Sequence, residues 1–301
     1  MQYYIGIDGG GSNSRLVAIT KEGKEVGRSV GGSTNITSQT YDGVFANIKK
    51  LVDEFLYTSG VGIKDCAGVC IGSAGASTGD NAELLKKIFC TIGFTCNIIV
   101  INDAELVLRS ATQGQPGIII ISGTGSVGYA LDGSGNMLRV GGWGHIIDDG
   151  GSGYRIGMDA IKAALLDFDG RGEKTLLTNM VTEFFDIEST EQVLKYIYGG
   201  DFDKAKVAKI ALLVSQAAQQ GDNVAQQILQ SAAQNLIAVA IVLIERAQLN
   251  AHKIVLSGSV ILQNTNIRTI FEQHIYEMYP NMQIVQMSTS AEMGAAYLAI
   301  K

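Results

Sequence analysis

Two glycine-rich turns, each directly following a β-branched run, constrain this 301-residue chain more than any other feature. Asp8-Gly9-Gly10-Gly11-Ser12 follows Tyr3-Tyr4-Ile5-Gly6-Ile7, and Ser122-Gly123-Thr124-Gly125-Ser126 follows Ile118-Ile119-Ile120-Ile121. Each leads into a second apolar stretch, Leu16-Val17-Ala18-Ile19 in the first case and Tyr129-Ala130-Leu131 in the second. The pattern predicts β-hairpins whose turns leave backbone N–H groups free, and such a turn can cradle a phosphate. Its recurrence predicts two similar half-molecules facing one nucleotide across a cleft.

The chain is long enough for about two domains, and its 46% hydrophobic content supports a large core. Glycine is abundant at 37 residues and proline scarce at 2, as expected for many tight turns and few extended linkers. A net charge of -6 and the absence of a basic run argue against sequence-independent nucleic-acid binding, which needs clustered Lys and Arg. The longest apolar run, Leu236 to Ile244, is shorter than the ~20 residues that span a bilayer, and the N-terminus enters a strand rather than a signal peptide. A cytoplasmic protein without a membrane partner is expected. Cys66, Cys70, Cys90 and Cys96 form no CxxC pair and read as buried, reduced thiols.

Strands are predicted at Tyr3 to Ile7, Leu16 to Thr20, Lys24 to Val30, Cys66 to Ile71 and Asn97 to Ile101, with helices at Tyr41 to Thr58, Asn81 to Ile92 and Ala104 to Thr112. The motif restarts near Gln115, with strands at Gly117 to Ser122, Ser126 to Leu131 and Met137 to Gly141. A long helical region follows from Tyr154 to Leu249, then a strand at Lys253 to Leu256 and a final Ala- and Gly-rich helix at Ser290 to Ile300, suited to close packing on other backbone. Alternating strands and helices predict an α/β fold with parallel strands. The expected division is 1–114, 115–286 and a final helix, 287–301, returning to the first domain.

Gly123-Thr124-Gly125-Ser126-Val127-Gly128 matches G-x-G-x-x-G, yet a dinucleotide site requires a helix to start inside the glycines. Here they lead into a strand and then the turn Asp132-Gly133-Ser134-Gly135. A Walker A loop is absent from the sequence, so ATP would be held by hairpin turns rather than by a P-loop.

The two turns, Asp103 after a strand, and Gly258-Ser259 after another resemble the actin, hexokinase and Hsp70 ATPase architecture, built from two ribonuclease-H-like domains with an interdomain cleft. Ser33-Thr34-Asn35, Asn102-Asp103-Ala104, Ile121 to Ser126, Gly141-Gly142-Trp143-Gly144-His145, Ala218-Gln219-Gln220-Gly221-Asp222 and Ser257 to Val260 together resemble N-acetylglucosamine kinases of the BadF/BadG-type ATPases. The resemblance implies ATP-dependent phosphorylation of the 6-hydroxyl of N-acetylglucosamine or N-acetylmuramic acid in amino-sugar salvage, with Mg²⁺, and a homodimer. It implies phosphate binding by Gly10, Gly11, Ser12, Gly123, Thr124 and Gly125, a metal role for Asp8, and an adenosine pocket at Ala217, Ala218, Gly258 and Ser259. Asp103 would be the catalytic base; the structural alternative for it is a helix N-cap.

Sugar binding would fall to Asn35, Gly142, Trp143, Gly144, His145 and Asp149, with Trp143 offering an apolar wall unless it is simply core, and His145 structural rather than catalytic. Where the family commonly reads G-D-E-G-S this chain has Asp148-Asp149-Gly150-Gly151-Ser152, and the lost side chain at 150 would open space beside the sugar for a lactyl group. Asp148 would oppose the lactyl carboxylate, so both sugars stay open with N-acetylglucosamine ahead. The alternatives are an activator ATPase of a 2-hydroxyacyl-CoA dehydratase and a non-catalytic sugar sensor.

Overall fold

The computed structural model describes residues 1–300 except 74, 77, 201 and 287–289. The chain divides into two units, Met1–Gln115 with Met287–Lys301, and Pro116–Gln286.

In the first unit β1 (Tyr3–Gly9), β2 (Asn13–Ile19) and β3 (Glu25–Gly32) form an antiparallel meander, the first glycine turn joining β1 to β2. After α1 (Tyr41–Ser59) the chain adds β4 (Cys66–Ser73) parallel to β1 and, through α2 (Asn81–Ile92), β5 (Asn97–Ile101) parallel to β4, before α3 (Asp103–Thr112). The sheet order is therefore β3-β2-β1-β4-β5. Period-two alternation turns Tyr3, Ile5 and Ile7 toward α1 and α2, where they pack with Ile48, Phe55 and Phe89. The opposite face is covered by α3 and by the last helix of the chain, α11 (Ala291–Ala299). Gly6 makes this cover possible: a Cβ there would overlap the Ala296 N and Glu292 O of α11. The Ala- and Gly-rich composition of the helix has the consequence expected of it, a backbone-to-backbone seat.

The second unit repeats the arrangement. β6 (Gly117–Ser122), β7 (Ser126–Leu131) and β8 (Met137–Val140) are an antiparallel meander closed by the second glycine turn. Five helices follow: α4 (Gly153–Phe168), α5 (Leu177–Phe185), α6 (Val193–Ile197), α7 (Lys204–Gln219) and α8 (Asn223–Ala247). β9 (Lys253–Ser257) then pairs parallel to β6, α9 (Ser259–Gln263) and α10 (Thr265–Met278) follow, and β10 (Gln283–Gln286) pairs parallel to β9. The order β8-β7-β6-β9-β10 matches that of the first sheet strand for strand. β10 and α10 were absent from the sequence reading, and β10 is what completes the repeat.

The helical region from residue 154 divides at Gln220 to Asp222, between α7 and α8, as the expected helices Ala205 to Gln219 and Val224 to Leu249 with the turn Gln220-Gly221-Asp222-Asn223 between them require. It is also broken at Gly170 and Gly172 by a turn whose Gly170 φ of 72° follows the end of α4. α8 is long and apolar enough to cross a membrane by composition, but Leu229, Leu236, Ala240, Leu243 and Ile244 are buried in the core of this unit, which accounts for its hydropathy. Cys66 and Cys70 are buried as expected; Cys96 is half-buried and Cys90 exposed, because its place near the end of α2 points it away from the sheet.

Candidate active site

The first turn is closed by the Gly10 amide donating to Asn13 O at 3.0 Å, and the second by Gly123 N donating to Gly125 O at 2.9 Å. The expectation of free amides therefore does not extend to Gly10 and Gly123. In the first turn Gly11 and Ser12 are exposed; in the second Thr124 is exposed and Gly125 half-buried. The second turn is braced from behind by α4, whose Gly153 N and Tyr154 N donate to Gly123 O and Thr124 O at 2.8 and 3.3 Å. Its flanks are tied by Ser122 Oγ and Ser126 Oγ, which donate to Gly151 O and Gly150 O at 2.7 and 2.8 Å.

Asp103 stands two residues beyond the C-terminal end of the parallel strand β5, where α/β sheets place functional groups. The capping role that competed for it belongs to its neighbour: Asn102 Oδ1 accepts from Glu105 N at 2.6 Å. Asp103 occupies the first position of α3 and is exposed, its Oδ1 accepting only locally from Ala104 N at 3.0 Å. At the end of β1, burial pushes the Asp8 carboxyl above its ordinary range; the Glu292 charge adds to this, Arg15 opposes it, and Asp103 adds a further push. Glu292 itself is 5% exposed, and its Oε2 has no hydrogen-bond partner among the described residues.

No cluster of three or more His, Cys, Asp or Glu suited to a metal occurs among the described residues. A sparse set of hard oxygen donors such as Asp8 with the orphaned Glu292 oxygen nonetheless fits Mg²⁺, which keeps most of its waters and takes one or two carboxylates.

Asn35 lies beside the first turn, its Oδ1 accepting from Thr37 N and Thr37 Oγ1 at 3.0 and 2.6 Å. In the second unit Gly141, Gly142 and Gly144 take φ of 73°, 71° and 96°, and this left-handed loop carries Trp143 outward to 66% exposure. The core reading of Trp143 is excluded; the Arg139 guanidinium lies 4.6 Å over its ring. His145 packs edge-on to Tyr154 at 5.0 Å and is stacked on Phe202 at 6.5 Å, in keeping with a structural role. Asp149 is buried, with a left-handed φ of 62°, and its Oδ2 accepts from Lys204 Nζ at 3.0 Å. A cavity of 370 Å³ joins Gly123, Thr124, Gly125, Gly142, Asp149 and Arg139, so the second glycine turn and two of the sugar candidates share one space.

The expectation for Gly150 is corrected. A Cβ at that position would stand 2.8 Å from Asn235 Oδ1, so the space is filled by α8 rather than opened toward a ligand.

A second cavity, of 290 Å³, is lined by Gly123, Thr124, Ser215, Ser259, Gln263 and Asn264, among others. Gly258 has a φ of 93°, and a Cβ there would overlap Ser122 O, so this glycine is what lets α9 start against the second turn. Ala217 and Ala218 do not line this cavity but are buried in the core; Ala208, Ala211 and Leu212 of the same helix face it instead. The sequence reading missed Asn264, which caps α10, accepting from Ile267 N at 2.9 Å, and donates to Ser215 Oγ at 2.6 Å on the cavity wall. The segment Gly221-Asp222 is structural: Asp222 caps α8 through Ala225 N at 2.8 Å and accepts from Leu176 N and Thr175 Oγ1 at 2.7 and 2.9 Å.

Two βββαβ-type sheets with matched glycine turns define the two-domain actin/hexokinase-like kinase fold. The chain belongs to the BadF/BadG/BcrA/BcrD ATPase family, whose model matches residues 5–299. It is 37% identical over 301 residues to the N-acetylmuramic acid/N-acetylglucosamine kinase of Clostridium acetobutylicum, covering 99% of this chain and 98% of that one. The N-acetyl-D-glucosamine kinase of Dictyostelium discoideum is 30% identical over 313 residues, with 99% and 98% covered. A crystal structure of a Chromobacterium violaceum protein superposes with a TM-score of 0.75 at 24% identity, over 100% of this chain and 99% of that one.

Proposed function

We infer that the chain is an ATP-dependent amino-sugar kinase, the activity its end-to-end relatives carry. The finer reading is transfer of the γ-phosphoryl group to the 6-hydroxyl of N-acetylglucosamine and of N-acetylmuramic acid, in the cytoplasm. The observation that supports it best is the division of labour at Asn102-Asp103: Asn102 caps the helix and leaves the Asp103 carboxylate exposed at a strand end.

In this reading Asp103 accepts the hydroxyl proton as the sugar oxygen bonds to the γ-phosphorus, while the bond from that phosphorus to its bridging oxygen breaks and ADP leaves. Amides and hydroxyls at Gly11, Ser12, Thr124 and Gly125 face the phosphates, and Ser259 with the Ser215–Asn264 pair faces the nucleoside. Asn35, Gly142, Trp143, Gly144 and Asp149 orient the sugar. Asp8, with Glu292 near it, would hold Mg²⁺, which when bound neutralises phosphate charge.

The test is ADP release with Mg-ATP against N-acetylglucosamine, N-acetylmuramic acid, glucosamine and glucose, with the phosphorylated position read by NMR. Turnover with the N-acetylated sugars and a 6-phosphate product is expected; ATP hydrolysis indifferent to every sugar would refute the reading and favour an activator ATPase.

A further inference from the structure

α7 opens with a residue that its helix does not want. Lys204 is the first residue of α7, followed by Lys206 and Lys209, and cations in a first turn oppose the helix dipole. Lys206 is occupied, lying 5.2 and 4.7 Å over the rings of Phe185 and Tyr196. Lys204 lies 5.7 Å over the Tyr154 ring and reaches across to Asp149, 55 residues away in sequence.

The pair is asymmetric in a way that matters. The Asp149 side chain is 6% exposed and that of Lys204 30%, so the carboxylate is sealed while the ammonium keeps an open side. An ammonium has three donors, and Asp149 Oδ2 takes one of them. The pair stands at the second glycine turn: a Cβ on Gly125 would be 3.0 Å from Asp149 Oδ2 and 3.6 Å from Lys204 Nζ. The turn itself supplies only neutral amides and hydroxyls and this chain has no P-loop lysine, so a side-chain cation acting on a triphosphate here would come from another element; Arg139 lines the adjoining cavity, and Lys204 stands at Gly125.

We propose that Lys204 is a catalytic residue of phosphoryl transfer, binding the terminal phosphate of the nucleotide beside Gly125, and that Asp149 is its positioning residue. The left-handed backbone of Asp149 aims the carboxylate that holds the ammonium at the turn. The same carboxylate edges the cavity shared with Gly142, so the residue that steadies the lysine also borders the space assigned to the sugar. This deepens the kinase reading and rests on the second turn being a phosphate site.

The test compares wild type with Lys204→Gln, Lys204→Arg and the double variant Asp149→Asn/Lys204→Gln, by calorimetric titration with ADP and with a non-hydrolysable ATP analogue, alongside kcat and KM. Removing one charge-assisted contact is expected to weaken the analogue by about 10–100-fold in Lys204→Gln, while ADP affinity changes by less than about threefold. kcat should fall with it, and Lys204→Arg should recover most of both losses. If Lys204→Gln does not fold because Asp149 is left as a lone buried charge, the double variant removes both charges and its nucleotide affinities carry the test.

Analogue binding at wild-type strength in a folded variant overturns the proposal. So does a loss confined to N-acetylmuramic acid as acceptor, which would assign the lysine to the sugar carboxylate. A wild type with no sugar-dependent turnover but a Lys204-dependent preference for triphosphate would sink the kinase reading and leave this assignment standing.

Discussion

Asp103→Asn separates the catalytic from the structural role of this carboxylate, because the geometry around it predicts opposite outcomes for stability and for rate. At the first position of α3 an acid is worth about 0.3–1 kcal/mol through the helix dipole, and the amide oxygen of Asn can still accept from Ala104 N. Stability should therefore change by no more than about 1 kcal/mol, a melting shift of a few degrees at most. Removing a general base costs about 10²–10⁴ in rate, or roughly 3–5 kcal/mol of barrier. The assay is coupled ADP release at saturating Mg-ATP and sugar, with thermal melts of both proteins.

Asn102→Ala is the matched control. It deletes the 2.6 Å cap to Glu105 N and should cost about 0.5–2 kcal/mol of stability, while the base stays in place and turnover remains measurable. Asp103→Asn turning over within tenfold of wild type would refute the assignment, as would the reverse pattern, in which Asp103→Asn melts early and Asn102→Ala does not.

Asp222→Ala removes the cap of α8 together with two charged hydrogen bonds, from Leu176 N and Thr175 Oγ1, and should lower stability by roughly 3–5 kcal/mol. For a unit of this size that is a fall of about 6–20 °C in melting temperature by calorimetry, and a shift under 2 °C would deny the residue its structural role. Gly258→Ala meets both a φ of 93° and the carbonyl of Ser122, so it should cost about 2–5 kcal/mol and weaken nucleotide binding, read by denaturant unfolding and titration with ADP.

The Asp167 carboxyl is held below its ordinary range, first by the hydroxyl of Thr178 at 2.6 Å and then by Lys174. A depressed folded-state pKa gives stability that is present above the unfolded value, near 4, and lost as pH falls through the folded value. Asp167→Asn should thus be less stable than wild type at pH 7, with the gap closing toward pH 3; a gap independent of pH refutes the electrostatic account.

The parts of the fold legible in the sequence are those where local and tertiary preferences agree. Ile118 to Ile121 and the glycines after it could form little but a strand and a turn, and α11 announced its close packing through Gly294, Ala295, Ala296 and Ala299. α10 left a legible signal that went unread: Asn264 at the cap, then Ile267, Phe271 and Ile275 at helical spacing. β10 left almost none, since Gln-Ile-Val-Gln is four residues long and becomes a strand only because β9 is there to pair with it.

In the site, turn residues were readable because glycine chemistry is local, whereas Lys204 with Asp149 and Ser215 with Asn264 are meetings of helices and loops 55 and 49 residues apart. The Gly150 expectation failed for the same reason: what fills the space beside a glycine is decided by another element, here Asn235 of α8.

The two halves repeat one topology but differ in charge, and in the kinase reading the difference would divide their tasks. Around the first turn the ionisable side chains that act on Asp8 are mainly acidic, Glu292 and Asp103, with Arg15 the opposing charge. In the kinase reading such an environment suits a cation or a proton acceptor, so Gly11 and Ser12 would meet phosphate together with a bound metal ion. Around the second turn stand Lys204 and, lining the adjoining cavity, Lys209, while the acidic partner there, Asp149, is already neutralised by its ion pair. An anion finds that turn hospitable without any metal. In the proposed reading, charge divergence would let one copy add the base and the metal ligands and the other add a cation for the phosphate, and phosphoryl transfer needs both.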